Sequence, residues 1–213
     1  MIAEPPILPK TFYTGSDVVG IAKSLLGKKI ISKTENVLTS GIIVETEAYR
    51  GPDDRGCHAY GNRYTERTKT MFEPGGAAYV YICYGMHPML NVVTGSKDDP
   101  HAVLIRAIEP MDGFEVMLRR RNMEKASHQL TNGPGKLAVA LGITKSLDGA
   151  IFHHDSSQLQ LAAGLSFDDE CHIISGLRVG MSVHVGPCGY RPWRFYIKGN
   201  KWVSRPQVVK YEF

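Results

Sequence analysis

Cysteine is scarce in this chain and irregularly spaced. Four residues in 213, Cys57, Cys83, Cys171 and Cys188, form no CxxC pair. Free thiols in a reducing compartment follow from that usage. No apolar run approaches the roughly 20 residues of a membrane span. The opening MIAEPPILPK lacks a basic segment followed by an apolar one, so it does not read as a secretory signal. A Walker loop, a GxGxxG after a strand and a GxSxG elbow are all missing, which removes the enzyme classes built on them. Nor is there an internal repeat, a low-complexity stretch or a linker.

What remains is an ordinary globular composition, 43% apolar and 22% charged, with a net charge of +4 and a pI near 8.8. The length suits a single domain over residues 1–213, and the mild positive charge hints at a polyanionic partner. Residues 1–10 hold three of the twelve prolines and read as an extended arm. Ser16-Asp17 caps a helix that stops at Gly27. Lys28–Lys33 and Thr39–Ala48 read as a strand pair. Further strands are expected at Tyr79–Tyr84, His101–Ile108, Leu159–Ala162, His172–Ile174 and Met181–Val185. A last hairpin joins Trp193–Ile197 to Lys201–Ser204 across Gly199-Asn200. Helices are expected at Asp112–Arg121 and Lys136–Leu141. The sum is one α+β domain dominated by antiparallel pairs.

Three stretches stand out chemically. Tyr79–Asn91, YVYICYGMHPMLN, puts three tyrosines on a strand that breaks at Gly85. It suits either plain sheet core or flat amphipathic surfaces aimed two ways. VETEAY places Glu45, Glu47 and Tyr49 on one strand face. That face is either a solvated edge or a desolvated site where a carboxylate acts as general base. Arg106 interrupts the apolar run AVLIRAI and is the natural partner for such a carboxylate, structural or functional. Residues 50–76 form a loop too long and polar to be a simple connection. His58 lies within it. Cys57, His58, Cys83 and His87 lack tight ligand spacing, so no metal site is expected. Lys136, in GPGK, fits a helix N-terminus touching a phosphate.

Taken in order, VETEAY, GPDDRGCH at 51–58, MFEPG at 71–75, YVYICYGMHPMLN at 79–91, VLIRAIEP at 103–110, GPGK at 133–136 and RFYIKGNKWVS at 194–204 resemble the alkyladenine (3-methyladenine) DNA glycosylases. The likeness runs from about Thr11 to Ser204. It implies a single α+β domain with a curved, mostly antiparallel sheet, flanking helices and a protruding β-hairpin. It implies removal of alkylated or deaminated purines from double-stranded DNA, namely 3-methyladenine, 7-methylguanine, hypoxanthine and ethenoadenine, without a metal or organic cofactor. By resemblance, Glu47 is the general base that activates a water and Arg106 stands beside that water. Tyr49, Tyr81 and His58 wall the base, Asn91 checks its edge, and Met181 lies near it. Tyr84 enters the DNA in place of the extruded nucleotide, and Lys136 meets the backbone. Tyr79 is expected to be core, and His87 is left outside the catalytic set.

The physics is compatible with these expectations. A base must leave the stack before its glycosidic bond can be attacked. Stacking on aromatic faces tolerates many bases, and an alkylated purine is a cation attracted to such faces. No matched motif offers an attacking lysine, so a monofunctional enzyme is expected, one that leaves an abasic site uncut. The alternative is a non-catalytic module that recognises damaged DNA. A monomer is expected, with no membrane contact, acting in the cytoplasm on a bacterial nucleoid, or in the nucleus were the source eukaryotic.

Overall fold

The computed structural model describes residues 5–165 and 172–204. Cys171 and the first four residues of the expected arm lie outside the described residues. Eight strands form one antiparallel sheet: β1 (Lys29–Thr34), β2 (Val37–Arg50), β3 (Ala78–Cys83), β4 (His87–Thr94), β5 (His101–Pro110), β6 (Leu159–Ala162), β7 (Ile173–Gly176) and β8 (Arg194–Ile197). The order is β3-β4-β5-β2-β1-β6, with β8 pairing both β2 and β7. The α+β expectation holds.

β2 is the longest strand and the pivot. Along one side it pairs with β5. Along the other it pairs first with β1 and then, at Glu45–Glu47, with β8. It is internal, and both of its glutamates are completely buried. The solvated-edge alternative is thereby excluded.

Alternation along the central strands gives the sheet two different faces. Val44, Ala48, Val103 and Ile105 face a large apolar core with α1 (Val18–Ser24), α2 (Phe114–Arg120) and α3 (Pro134–Ala140). Asp17 caps α1 by accepting from Gly20 N at 2.9 Å. Thr46 Oγ1 donates to Ala22 O at 2.8 Å, tying α1 to β2. On the opposite face a smaller cluster gathers Tyr79, Val93 and Ala102 with Cys57, Met71 and Phe72 from the long loop. That loop carries only short 3-10 turns, at Tyr60–Asn62 and Lys69–Phe72.

Two expected strands are corrected. Met181–Val185 leads instead into a 3-10 segment at Val183–Tyr190. Pro187 has no N–H for a ladder, and Gly186 sits at φ 54, outside strand geometry. These override the β-branched Val183 and Val185. Lys201–Ser204 is a run of turns and does not return as a hairpin partner. Both ladders of β8 are already taken by β2 and β7, and Ser204 N is used elsewhere, on Glu45. The proline-rich start is docked: Leu8 is buried and donates its N–H to Leu161 O at 2.8 Å.

Candidate active site

The register between β2 and β5 is interrupted twice in opposite senses. Ile43 pairs Ile108, Glu45 pairs Ala107, and Thr46 pairs Ile105. Val44 is therefore the extra residue on one strand and Arg106 the extra residue on the other. A bulge re-aims a side chain, and here the bulged residue is the arginine. Arg106 Nε donates to Glu45 Oε1 at 2.9 Å, while Nη1 lies 3.3 Å from Glu47 Oε1. Burial alone would lower the Arg106 pKa, but the charges of Glu47 and Glu45 together raise it above the ordinary guanidinium value.

The two glutamates are treated differently. Glu45 accepts four hydrogen bonds: from Arg106, from Arg194 Nε at 2.7 Å, from Ser204 N at 2.7 Å and from Ser204 Oγ at 2.9 Å. Arg194 also donates to Ser204 O. Glu47 accepts from Val179 N at 2.7 Å and from the Tyr49 hydroxyl at 2.8 Å. Burial pushes its pKa above the ordinary carboxylate value, and Arg106, Val179 and Tyr49 pull it back only in part. Tyr49 is held well above the usual phenol range by its own burial and by the Glu47 charge. It therefore stays a donor. Arg178 stacks on it, with its guanidinium carbon 4.7 Å from the ring centroid, and is itself paired with the buried Asp54.

One rung of the sheet crosses six strands. Tyr79 on β3 faces Asn91 on β4, then Leu104 on β5, Glu47 on β2, Arg194 on β8 and Gly176 on β7. Above this rung opens a cavity of about 390 Å³, whose walls include Tyr49, His58, Tyr79, Tyr81, Asn91, Arg106 and Met181. His58 packs edge-on against Tyr81, with ring centroids 4.7 Å apart, and its Nδ1 lies 3.0 Å from Tyr79 Oη. Burial first, and the Arg67 charge second, lower the His58 pKa to about 4. Asn91 Nδ2 donates to Tyr79 O at 3.0 Å, which leaves its Oδ1 as the acceptor side of the amide. Tyr79 is core by burial, as expected, yet it also lines the cavity and engages His58.

At the rim, β3 and β4 are joined by a turn from Cys83 to Met86 in which Tyr84 and Gly85 have φ 50 and φ 73. Two left-handed central residues are the type I′ pattern that suits a hairpin's twist. A tyrosine at φ 50 is strained, and the turn holds its side chain 89% exposed. Lys136, in the first turn of α3, donates to Asn132 Oδ1 at 2.9 Å. His87 stands exposed on β4 opposite Cys83. A second concavity of about 530 Å³, at the far end of β3, is lined by Lys10, Lys69, Glu73, His153 and His154 among others. No buried carboxylate with a matched arginine borders it. Among the described residues, no three His, Cys, Asp or Glu side chains gather as a metal site. No described helix is long and apolar enough to cross a membrane.

Residues 11–201 match the family described as methylpurine-DNA glycosylase. The chain belongs to that family. A Bacillus cereus protein assigned as a 3-methyladenine DNA glycosylase is 43% identical over 203 residues, spanning 92% of this chain and 98% of its own length. Proteins assigned in the same way from Chlamydia pneumoniae and Chlamydia felis are 57% and 55% identical over 139 residues, 65% of this chain and 71% and 72% of theirs.

Within this methylpurine-DNA glycosylase fold, Arg106, Tyr49, His58, Tyr81, Asn91 and Met181 line one cavity, with Tyr84 at its lip, and Glu47 lies behind that wall, held by Arg106, Tyr49 and Val179, which all line it. Lys136 does not line that cavity. Sequence reasoning missed Arg194, Ser204, Val179 and the Arg178–Asp54 pair. Arg194 carried a usable signal, an arginine leading an otherwise apolar strand, the same anomaly that marked Arg106. The others gave none: a backbone N–H has no sequence signature, and Asp54 and Arg178 are far apart in the chain.

Proposed function

We propose that this glycosylase extrudes a damaged purine from duplex DNA into the cavity above the Tyr79–Arg194 rung and hydrolyses its N-glycosidic bond with water. One observation carries the reading: a fully buried carboxylate, Glu47, is held directly behind an aromatic-walled cavity by three of the residues that line it, Arg106, Tyr49 and Val179. Its pKa, raised by burial, makes it a better proton acceptor than an ordinary glutamate. The donors on Glu47 fix its orientation. Arg106 makes its shorter contact with Glu45 and offsets only part of the effect of burial on Glu47, which leaves Glu47 enough basicity to take a proton from water. The remaining anionic charge would face the positive charge that develops on the sugar as the base departs.

Tyr49, Tyr81 and His58 offer stacking surfaces worth roughly 1–3 kcal/mol per base. The Asn91 amide would hydrogen-bond or obstruct the edge of the base, and Tyr84 would fill the vacated place in the stack. Such a cavity suits 3-methyladenine and 7-methylguanine, whose positive charge makes them ready leaving groups. Hypoxanthine and ethenoadenine would fit the same walls but need protonation to leave. Among the described residues no lysine lines the cavity, which supports a monofunctional enzyme over one that forms a Schiff base. The protein acts as a monomer, one domain per lesion.

Incubation with DNA carrying 3-methyladenine or ethenoadenine, in the presence of EDTA, should release free base and leave the strand uncut. Borohydride trapping of protein on DNA would overturn the monofunctional reading. Binding to damaged DNA with no released base would convert the protein into a recognition module.

A further inference from the structure

Arg67 lies outside the cavity wall yet reaches two residues that form it. Its guanidinium carbon stands 4.9 Å from the Tyr81 ring centroid, and its Nη2 is 3.1 Å from His58 Nε2. A guanidinium carries donors and no acceptor. His58 Nε2 must therefore be the bare nitrogen of its ring. A neutral imidazole then has one place left for its proton, Nδ1, which lies 3.0 Å from Tyr79 Oη. We propose that Arg67 is a positioning residue that fixes His58 as the uncharged Nδ1–H tautomer and so keeps the base cavity free of imidazolium. The proposal rests on the reading of that cavity as the base pocket.

The surroundings agree. Tyr79 and Tyr81 face His58 from β3 and Arg67 faces it from the long loop; no acid is among the groups that act on it. A second proton would set Nε2–H against an N–H of Arg67. Burial and the Arg67 charge together depress the His58 pKa to about 4. The consequence concerns selectivity. An alkylated purine is itself a cation, and a charged His58 would repel it inside the cavity. Arg67 is exposed, so its own charge is screened by solvent. With Nε2 engaged, His58 offers the base an apolar ring and no donor, which favours stacking over hydrogen-bond readout.

Long-range 15N–1H correlation spectra of the free protein test this, with His58 identified by its loss in His58→Gln. The wild type should show the Nδ1–H pattern and no titration above about pH 5. Arg67→Lys, which keeps a donor, should retain that pattern. Arg67→Ala should move the proton to Nε2 and raise the titration midpoint. The ratio of 7-methylguanine to ethenoadenine release in Arg67→Ala, divided by the wild-type ratio at the same pH, should then fall several-fold between pH 8 and pH 6. A wild-type ring protonated on Nε2, or identical spectra in Arg67→Ala, would overturn the role of Arg67. The spectra need no excision. The expected spectra without base release from any form would instead overturn the glycosylase reading on which the proposal rests.

Discussion

Glu45 accepts four hydrogen bonds in a place closed to solvent, while Tyr84, at the lip of the cavity that opens over the same sheet, stands 89% exposed on a strained turn. The inner wall is held by over-determination: β5, β8 and the turn at Ser204 all place a group on one carboxylate of β2. The rim is held by a single two-residue turn. A group that must keep a proton-accepting geometry gains from rigidity. A side chain that must enter another molecule's stack cannot be tied to its own protein. Glu47 lies between these extremes. It is as buried as Glu45 but has fewer donors, and burial raises its pKa above the ordinary carboxylate value.

Substitutions can break this contrast. The largest effect is expected at Glu47→Gln, which should slow excision by roughly 10²–10⁴-fold in single-turnover assays while damaged DNA still binds. If Glu45→Gln produced that selective loss and Glu47→Gln did not, the two carboxylates would have to exchange roles. Glu47→Gln should also stabilise the fold at neutral pH. Between the ordinary glutamate value of 4.5 and the raised folded value, the native state keeps a proton that the unfolded chain has lost, so stability falls as pH rises through that window. Urea midpoints should show the gain of Glu47→Gln above the window and none below pH 4.5.

Next in size, Glu45→Ala should cost about 3–5 kcal/mol of stability, because it leaves Arg106 and Arg194 buried without their shared partner. A loss under 1 kcal/mol (a surface-like value) would show that the inner wall is not the fastened region described. Tyr84→Ala should weaken binding to lesion DNA by roughly 1–3 kcal/mol, with the urea midpoint almost unmoved. The smallest effect sharpens the same contrast: Tyr84→Asn should stabilise the free protein by about 1 kcal/mol by relieving a left-handed aromatic residue, again at the expense of DNA binding.

Most of the sheet was legible because period-two alternation is strong in β2, β3 and β5. The pairing of Arg106 with a carboxylate was legible because an arginine inside an apolar strand demands one. The compensating bulges at Val44 and Arg106 were not, since nothing local distinguishes a bulged residue from its neighbours. Without them the sequence could not say that Arg106 reaches both glutamates. The last third misled for a different reason. Val183 and Val185 favour strands, but a glycine at positive φ and a proline decide the backbone there. At Gly199-Asn200 the turn chemistry was plausible, and only the prior claim of β2 and β7 on β8 excluded a hairpin. The cavity's residues were identified through family likeness. The placing of Glu47 and Asn91 on one rung is a matter of register that spacing alone did not reveal.

That rung also has a bearing on how the chain matures. Its members are residues 79, 91, 104, 47, 194 and 176, and the clasp on Glu45 waits for Ser204. During synthesis Glu47 and Arg106 emerge before the arginine and serine that neutralise and seal the carboxylate beside them. Non-local pairings of this kind form slowly. The cluster around Glu45 therefore closes only when β8 docks against β2 and the turn at Ser204 reaches the carboxylate.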